Sequence, residues 1–403
     1  MIYNMQLKTK SPLFIGGNQQ EYRQNDFVFY KGYIYKINEN KLMEALLEKK
    51  LHDKFSILVS KNPRYFALDR FLKDNSLHNE KFIKRISDFK SKSEINKGYN
   101  SFKPFIRNAM GYPYIPGSSI KGALRTAIAY YMLKKIQGLS KDYFRKFFLD
   151  DLERSLQSKK SQNDKIIFKL LQNYNFKGRS KEQIDNSNKD ILRAIKVSDS
   201  EPIEKILNVQ EVTVLNIRNE KFQEKANIRM ELLPAGTIVN FRLTIDEVII
   251  NDFVEDVPIN DIEQIIDICK MFSGDLVKEE KSYYNYKKDN NGVIDELKKQ
   301  NKKVSLAQLQ KMRNSNSKNQ GVNIDSLLSY YQDDRSLNFR LGAGSSILGN
   351  TLIMLLDNDL KLQLRNKFYR YRNIDVFPKT RRVVKENDEY KYPLGWAEMK
   401  VKS

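Results

Sequence analysis

Ten residues, Gly117-Ser-Ser-Ile-Lys-Gly-Ala-Leu-Arg-Thr126, constrain this chain more than any other stretch. Pro116 and Gly117 break whatever precedes them, and Ser118 or Ser119 is placed to cap a helix by accepting from backbone N–H groups two or three residues on. Ile120, Leu124, Ala127, Ile128 and Tyr131 then recur at the spacing of one buried helical face, with Lys121 and Arg125 one turn apart on another side. Free N–H donors, two hydroxyls and two cations converge on one helix end, an arrangement that holds a phosphate. A plain capped helix with solvated cations accounts for the same residues. A Walker loop does not, because Ala123 and Leu124 stand where Lys and Ser or Thr are required after Gly117 and Gly122.

The charge balance selects among anions. Lys and Arg number 71 against 50 for Asp and Glu, a net charge of +21 on 403 residues, which makes nucleic acid the leading partner class. An anionic membrane is the rival, but no apolar run approaches the roughly 20 residues of a spanning helix. The start, MIYNMQLKTK, is no signal peptide, so a cytoplasmic protein is expected. Cys269 is the single cysteine, which excludes disulfides within the chain and Cys-rich zinc sites and suits a small packed hydrophobe. His52 and His78 lie in Lys-rich, helical-looking stretches with no Cys or His nearby, so neither a metal nor any cofactor is expected.

Residues 1–37 read as strands, with a Gly16-Gly17 pair that permits close backbone approach or a plain turn, and a hairpin over 26–37 turning at Lys31-Gly32. Asn40 is placed to cap a helical, charged stretch running from Lys41 to about Lys97, an inserted subdomain. Helical pattern continues through Tyr174, and 178–189 reads as a loop. Period-2 alternation over 191–197, 212–217, 228–232 and 238–250, with a Pro234-Ala235-Gly236 turn, starts a second sheet domain near 190. After a helix over 261–272, the Lys- and Asn-rich residues 275–320 read as a surface insertion without a core.

Leu337-Asn-Phe-Arg-Leu-Gly-Ala-Gly-Ser-Ser-Ile-Leu-Gly-Asn350 reads as a strand, a glycine-rich turn and a helix through Leu356. Ile347 at the third glycine position excludes a dinucleotide fingerprint. Gly342 and Gly344, beside Ser345 and Ser346, either bring N–H groups against a sugar-phosphate chain or make a structural turn. Further on, Arg365, Lys367, Arg370 and Arg372 interleave with Phe368, Tyr369 and Tyr371, and Lys379-Thr-Arg381-Arg382 adds a second basic cluster, a composition suited to single-stranded nucleic acid or to a solvated strand face.

Taken together the motifs resemble the RAMP superfamily of CRISPR effector proteins. Tyr114-Ile-Pro-Gly-Ser-Ser-Ile-Lys-Gly-Ala-Leu-Arg-Thr126 is similar to its Pro-Gly-Ser-Ser-Xaa-Lys-Gly-Xaa-Xaa-Arg motif, and Arg340-Leu-Gly-Ala-Gly344 to its glycine-rich loop. Their order, with Ser11-Pro-Leu-Phe-Ile-Gly16 before, 190–199 between, and Phe377-Pro-Lys-Thr-Arg381 and Pro393-Leu-Gly-Trp396 after, resembles the subunit that caps the guide-RNA 3′ side of the type III-A (Csm) complex.

The resemblance implies an α+β fold of two ferredoxin-like, RRM-related modules with antiparallel sheets and glycine-rich loops. They would span 1–189, with helical insertions at about 40–100 and 140–180, and 190–403, with the insertion at about 275–320. It further implies a non-catalytic crRNA-binding subunit that supports crRNA 3′ maturation. The implied partners are the adjacent backbone RAMP subunit, the small helical subunit, target RNA within the complex and host 3′-trimming exonucleases, with no membrane. The expected RNA-contacting residues are Gly16, Gly17, Ser118, Ser119, Lys121, Gly122, Arg125, Thr126, Gly342, Gly344, Ser345, Ser346, Lys379, Arg381 and Arg382. Relatives often end the loop Gly-Lys-Thr, whereas Asn350 stands here between Gly349 and Thr351. An endoribonuclease using Asp26 or His52, and a scaffold that binds only protein, are the alternatives.

Overall fold

Alternation in the first nine residues buries Met5, Leu7 and Thr9 and places that strand at the centre of a sheet in the computed structural model of the protein. The structure describes the chain outside residues 18–19, 64–65, 96–99, 151–170, 172–188, 219–220, 254–256, 258, 300–321, 333–335, 369–375, 387–388 and 403. Its strands are β1 (Ile2–Thr9), β2 (Tyr22–Arg23), β3 (Phe27–Tyr30), β4 (Tyr33–Ile37), β5 (Ser87–Ser93), β6 (Ser101–Phe102), β7 (Ile195–Val197), β8 (Asn208–Arg218), β9 (Lys221–Leu232), β10 (Ile238–Ile245), β11 (Phe339–Arg340), β12 (Thr380–Glu386), β13 (Glu389–Pro393) and β14 (Trp396–Val401).

A five-stranded antiparallel sheet runs β11–β14–β1–β10–β7. A seven-stranded sheet runs β13–β12–β8–β5–β4–β3 with β9 also paired to β8, and only β5 and β8 are parallel in it. Strands β2 and β6 form a separate pair. The fold is therefore mixed α+β with predominantly antiparallel sheets. Both large sheets draw strands from either side of residue 190.

Two helices close the main core. Helix α5 (Gly117–Leu139) buries Ile120, Leu124, Ala127 and Ile128, as its spacing predicts, and packs on α6 (Ile262–Lys299). Upstream, α1 (Glu39–Glu48), α2 (His52–Lys61), α3 (Leu68–Asp74) and α4 (Glu80–Ile86) build a small core of their own against the β3–β4 hairpin. Lys31 and Gly32, at φ of 47° and 79°, form that hairpin's two-residue turn, the left-handed pair that matches strand twist.

Several expectations are corrected. Asn38, not Asn40, caps α1, accepting from the Lys41 N–H at 3.0 Å. The helical stretch ends at Ile86. Residues 87–93 form a strand between β4 and β8 although Ser91 is its one buried side chain, so pairing and not hydrophobicity places it. Residues 191–194 are a 3-10 turn, and Asp246 ends β10 by capping a short helix at Glu247–Asp252. Past Gly344, a helix at Ser346–Asn350 gives way to a 3-10 turn at Ile353–Leu355 instead of continuing to Leu356.

The largest correction concerns residues 275–284. They continue α6 through the core, with Leu276, Glu280, Tyr283 and Tyr284 buried. Of the insertions expected at about 140–180 and 275–320 and the loop expected over 178–189, the parts at 151–170, 172–188 and 300–320 lie outside the described residues.

Cys269 packs in the same core, and burial pushes its thiol up to about 12. A disulfide-exchange reagent at pH 8 should therefore leave the native protein unlabelled and modify one thiol per chain after denaturation. Stoichiometric labelling of the native protein would contradict this packing.

Candidate nucleic-acid interface

Three of the sequence motifs meet in one place. Backbone N–H groups of Ala343, Leu341 and Gly395 donate to the carbonyls of Phe14, Gly395 and Pro12 at 3.0, 2.9 and 2.9 Å. The Ser11 hydroxyl accepts from the Trp396 N–H at 2.9 Å. Residues 11–15, 341–344 and 394–396 thus cross at backbone distance, which explains their glycines. A Cβ on Gly342 would lie 2.0 Å from the Phe14 carbonyl oxygen, and one on Gly344 would lie 1.9 Å from that of Leu394. Gly344 and Ser345 are buried, and the Ser345 hydroxyl donates to the Arg340 carbonyl at 3.3 Å. The Ser346 hydroxyl is also shielded and has no hydrogen-bond partner among the described residues. The glycine-rich loop is accordingly a crossing of chains, and the structure gives Gly344 and Ser345 no surface to present.

The crossing leads straight into a cleft. Ile15, Gly16 and Gly17 form one wall, Ile106 and Arg107 a second, and Tyr114, Pro116, Ser118 and Ser119 a third, enclosing about 660 Å³. Two groups of expected contact residues, the Gly16-Gly17 pair and the Ser118-Ser119 pair, are thereby brought together. Ile106 and Arg107, which stand in no sequence motif, and Tyr114, which opens the Gly-Ser-Ser motif but is not among the expected contacts, join them in the cleft. Arg107 is held at 2.6 Å by the buried Glu231, which also accepts from the Phe105 N–H and the Ser91 hydroxyl, and its guanidinium lies 3.5 Å above the Phe89 ring.

The start of α5 differs from expectation. Neither serine caps it; Pro116 is the N-cap, and the Asp199 carboxylate accepts from the Gly117 N–H at 2.7 Å. An acidic side chain already stands where the helix end attracts an anion. Gly117 sits so close to residues 197–198 that a Cβ would meet the Val197 carbonyl oxygen at 2.4 Å.

Lys121 donates to the Ile195 carbonyl at 2.7 Å, and Arg125 pairs with Asp190 at 3.2 Å. Burial pulls the Lys121 pKa below that of an ordinary lysine. The two cations therefore clamp residues 190–199 onto the helix. Gly122 is exposed, and its carbonyl accepts from the buried Thr126 hydroxyl.

The second basic cluster turns inward. Arg381 is 4 % exposed and pairs with Glu280 at 2.7 Å, and Arg340 takes the other Glu280 oxygen at 2.7 Å. Burial alone would push the Glu280 carboxyl up, but Arg381 and Arg340 outweigh it and hold the group below the usual carboxylate range. Arg382 spans back to the Ala343 carbonyl at 2.6 Å, and the Lys379 carbonyl accepts from the Tyr283 hydroxyl at 3.0 Å. Arg381 thus belongs to the core and not to an RNA-facing surface. Arg365 is buried on the helix Asn358–Phe368, while Tyr369, Arg370, Tyr371 and Arg372 lie outside the described residues.

Of the two nuclease candidates, Asp26 accepts from the Arg23 N–H at 2.8 Å in a turn, and His52 lies 3.4 Å from Asp53 on α2. The structure does not bring them into the cleft, whose lining contains neither. Among the described residues, no helix is long and apolar enough to cross a membrane, and no three His, Cys, Asp or Glu side chains group as metal ligands.

Known proteins share this architecture. A Csm5 protein of the CRISPR system of Methanocaldococcus jannaschii is 26% identical over 96% of this chain and 86% of its own length. A Streptococcus thermophilus Csm5 protein is 34% identical over 31% of this chain, a match spanning 37% of that relative. A chain of a Csm–crRNA–target RNA ternary complex of a type III-A CRISPR-Cas system superposes with a TM-score of 0.65 over 99% of this chain and all of its own, at 23% identity. The T. onnurineus Csm5 crystal structure gives 0.62 over 98% and 99%, at 22% identity. The RAMP superfamily model matches residues 6–347, which take in both the Gly-Ser-Ser helix start and the glycine-rich loop at 341–344, and the chain belongs to that superfamily.

Proposed function

We propose that the protein is the crRNA-binding subunit of a type III-A Csm complex, capping the 3′ side of the backbone filament and supporting crRNA 3′ maturation without cutting RNA itself. The observation that carries this reading is the near full-length similarity to a Csm5 protein, joined to a cleft in which Gly16-Gly17 faces Ser118-Ser119. Backbone without side chains, two hydroxyls and a tyrosine ring, on a wall stiffened by the Arg107–Glu231 pair, suit a sugar-phosphate chain with a stacked base. The adjacent backbone subunit, the small helical subunit, target RNA and trimming exonucleases are the partners of such a protein, in a fold read as two ferredoxin-like modules.

The serines provide the test because they do not cap α5. Ser118→Ala with Ser119→Ala should leave the melting temperature unchanged. Each lost hydrogen bond to a charged phosphate weakens binding by about 1.5–3 kcal/mol, so guide-RNA affinity should fall by at least about 10-fold. The crRNA recovered with the complex should carry untrimmed 3′ ends. Wild-type affinity and normal crRNA length in this variant would sink the assignment.

A further inference from the structure

Strand β1 carries Asn4, Gln6 and Lys8 on the side of the five-stranded sheet away from the core, since Met5, Leu7 and Thr9 point inward. Register then builds rows across that outer face. Arg242 lies beside Asn4, Lys400 and Asn240 flank Gln6, and Glu398 and Ile238 flank Lys8. Every one of these rows holds a cation. Glu398 is occupied by Lys10 at 2.8 Å, and Glu201 accepts from Asn240 at 2.9 Å. Among the described residues, the side chains of Lys8, Arg242 and Lys400 have no ion-pair partner. The face is open: Asn4, Arg242 and Lys400 are exposed, and the exposed apolar residues Ile2 and Ile238 sit at its two ends and not at its centre.

A protein partner would seek an apolar, aromatic centre depleted in lysine, and this face has the opposite composition. The geometry points to a second RNA-binding surface here, on which a single strand lies across β10, β1 and β14, its phosphates on Arg242, Lys8 and Lys400 and its sugar hydroxyls on the intervening amides. With no aromatic side chain in these rows, recognition is of the backbone and carries no base preference. This rests on the reading of the chain as an RNA-binding subunit, but on residues separate from the cleft.

The test uses the full chain and a 20-nucleotide oligouridylate, titrated at several salt concentrations. Each phosphate contact on a single strand contributes about 0.7 to the slope of log affinity against log salt, so Lys8→Gln, Arg242→Gln and Lys400→Gln together should flatten it by about 2 and weaken binding about 100-fold at 0.1 M salt. The melting temperature should not change, and Arg242→Gln alone, with a slope loss of about 0.7, covers the case in which the triple variant folds poorly. An unchanged slope and affinity overturns the surface, and if the cleft serine variant still loses RNA, the functional reading survives that failure. Retained RNA binding with lost association to neighbouring Csm subunits also overturns it and assigns the face to protein.

Discussion

Glu280→Gln should lower stability by about 3–5 kcal/mol, the cost of leaving buried charge without its counter-ion. Glu280 is fully buried and lies between two buried guanidiniums, each 2.7 Å from one of its oxygens. The amide keeps the shape but cancels the negative charge and turns an N–H₂ toward one arginine. With an unfolding entropy of about 2.1 cal/mol/K per residue, that loss lowers the melting temperature by about 4–6 °C if the chain unfolds as one unit. Glu280→Leu combined with Arg340→Met and Arg381→Met removes all three charges and should recover most of the loss, because well-packed apolar replacements of buried ion groups are commonly neutral or stabilising. A single variant as stable as the wild type would contradict the buried triad. Acid provides an independent check. The folded pKa of Glu280 lies below its ordinary value of 4.5, so its contribution is complete above that pH and fades as pH falls through the depressed folded value. The Gln variant should lose that part of the acid sensitivity.

Gly344→Ala should abolish the native fold or cost more than about 4 kcal/mol, in the range reserved for specific structural failures. The added methyl would lie 1.9 Å from the Leu394 carbonyl oxygen and 2.4 Å from its carbon, and backbone cannot swing aside as a lysine tip can. Gly342→Ala meets the Phe14 carbonyl at 2.0 Å and has the further strain of φ at 61°, so it should fail at least as badly. Gly122→Ala is the control, since nothing lies within 4 Å of its Cβ position and alanine favours a helix interior by about 0.5–1 kcal/mol. Soluble yield and thermal melting by circular dichroism distinguish the three. Normal melting of Gly344→Ala would show that the three segments do not cross as closely as described.

These two effects also mark where sequence reading reached its limit. The α5 stripe, the Lys31-Gly32 hairpin and the alternation of β10 were legible because each rests on spacing within one segment. Glu280 was not, since a glutamate in a Lys- and Asn-rich stretch has the pattern of a solvated residue until two arginines from 60 and 101 positions away are seen beside it. A local signal was nevertheless present: Phe272, Leu276, Glu280 and Tyr283 follow helical spacing, and the charge obscured the stripe. The candidate site was half legible. Both serines and both glycines of the cleft stand in motifs, whereas Arg107 stands in none and is positioned by Glu231, 124 residues away.

By itself, the sequence determined a basic, folded α+β chain with a Gly-Ser-Ser helix start, a glycine-rich turn and the likeness of a RAMP protein, because charge, local period and motif order are properties of neighbours along the chain. Only the tertiary structure decided what the motifs do for one another. It made the glycine-rich turn a crossing of three segments, sent Arg381 into the core, and set Lys121 and Arg125 on residues 190–199. A cation in a sequence is equally suited to a phosphate, a carboxylate or a carbonyl, and the nearest acceptor in the folded chain settles which it meets. Here, the acceptors came from segments more than 60 residues distant, a range over which sequence pattern carries no information on contact.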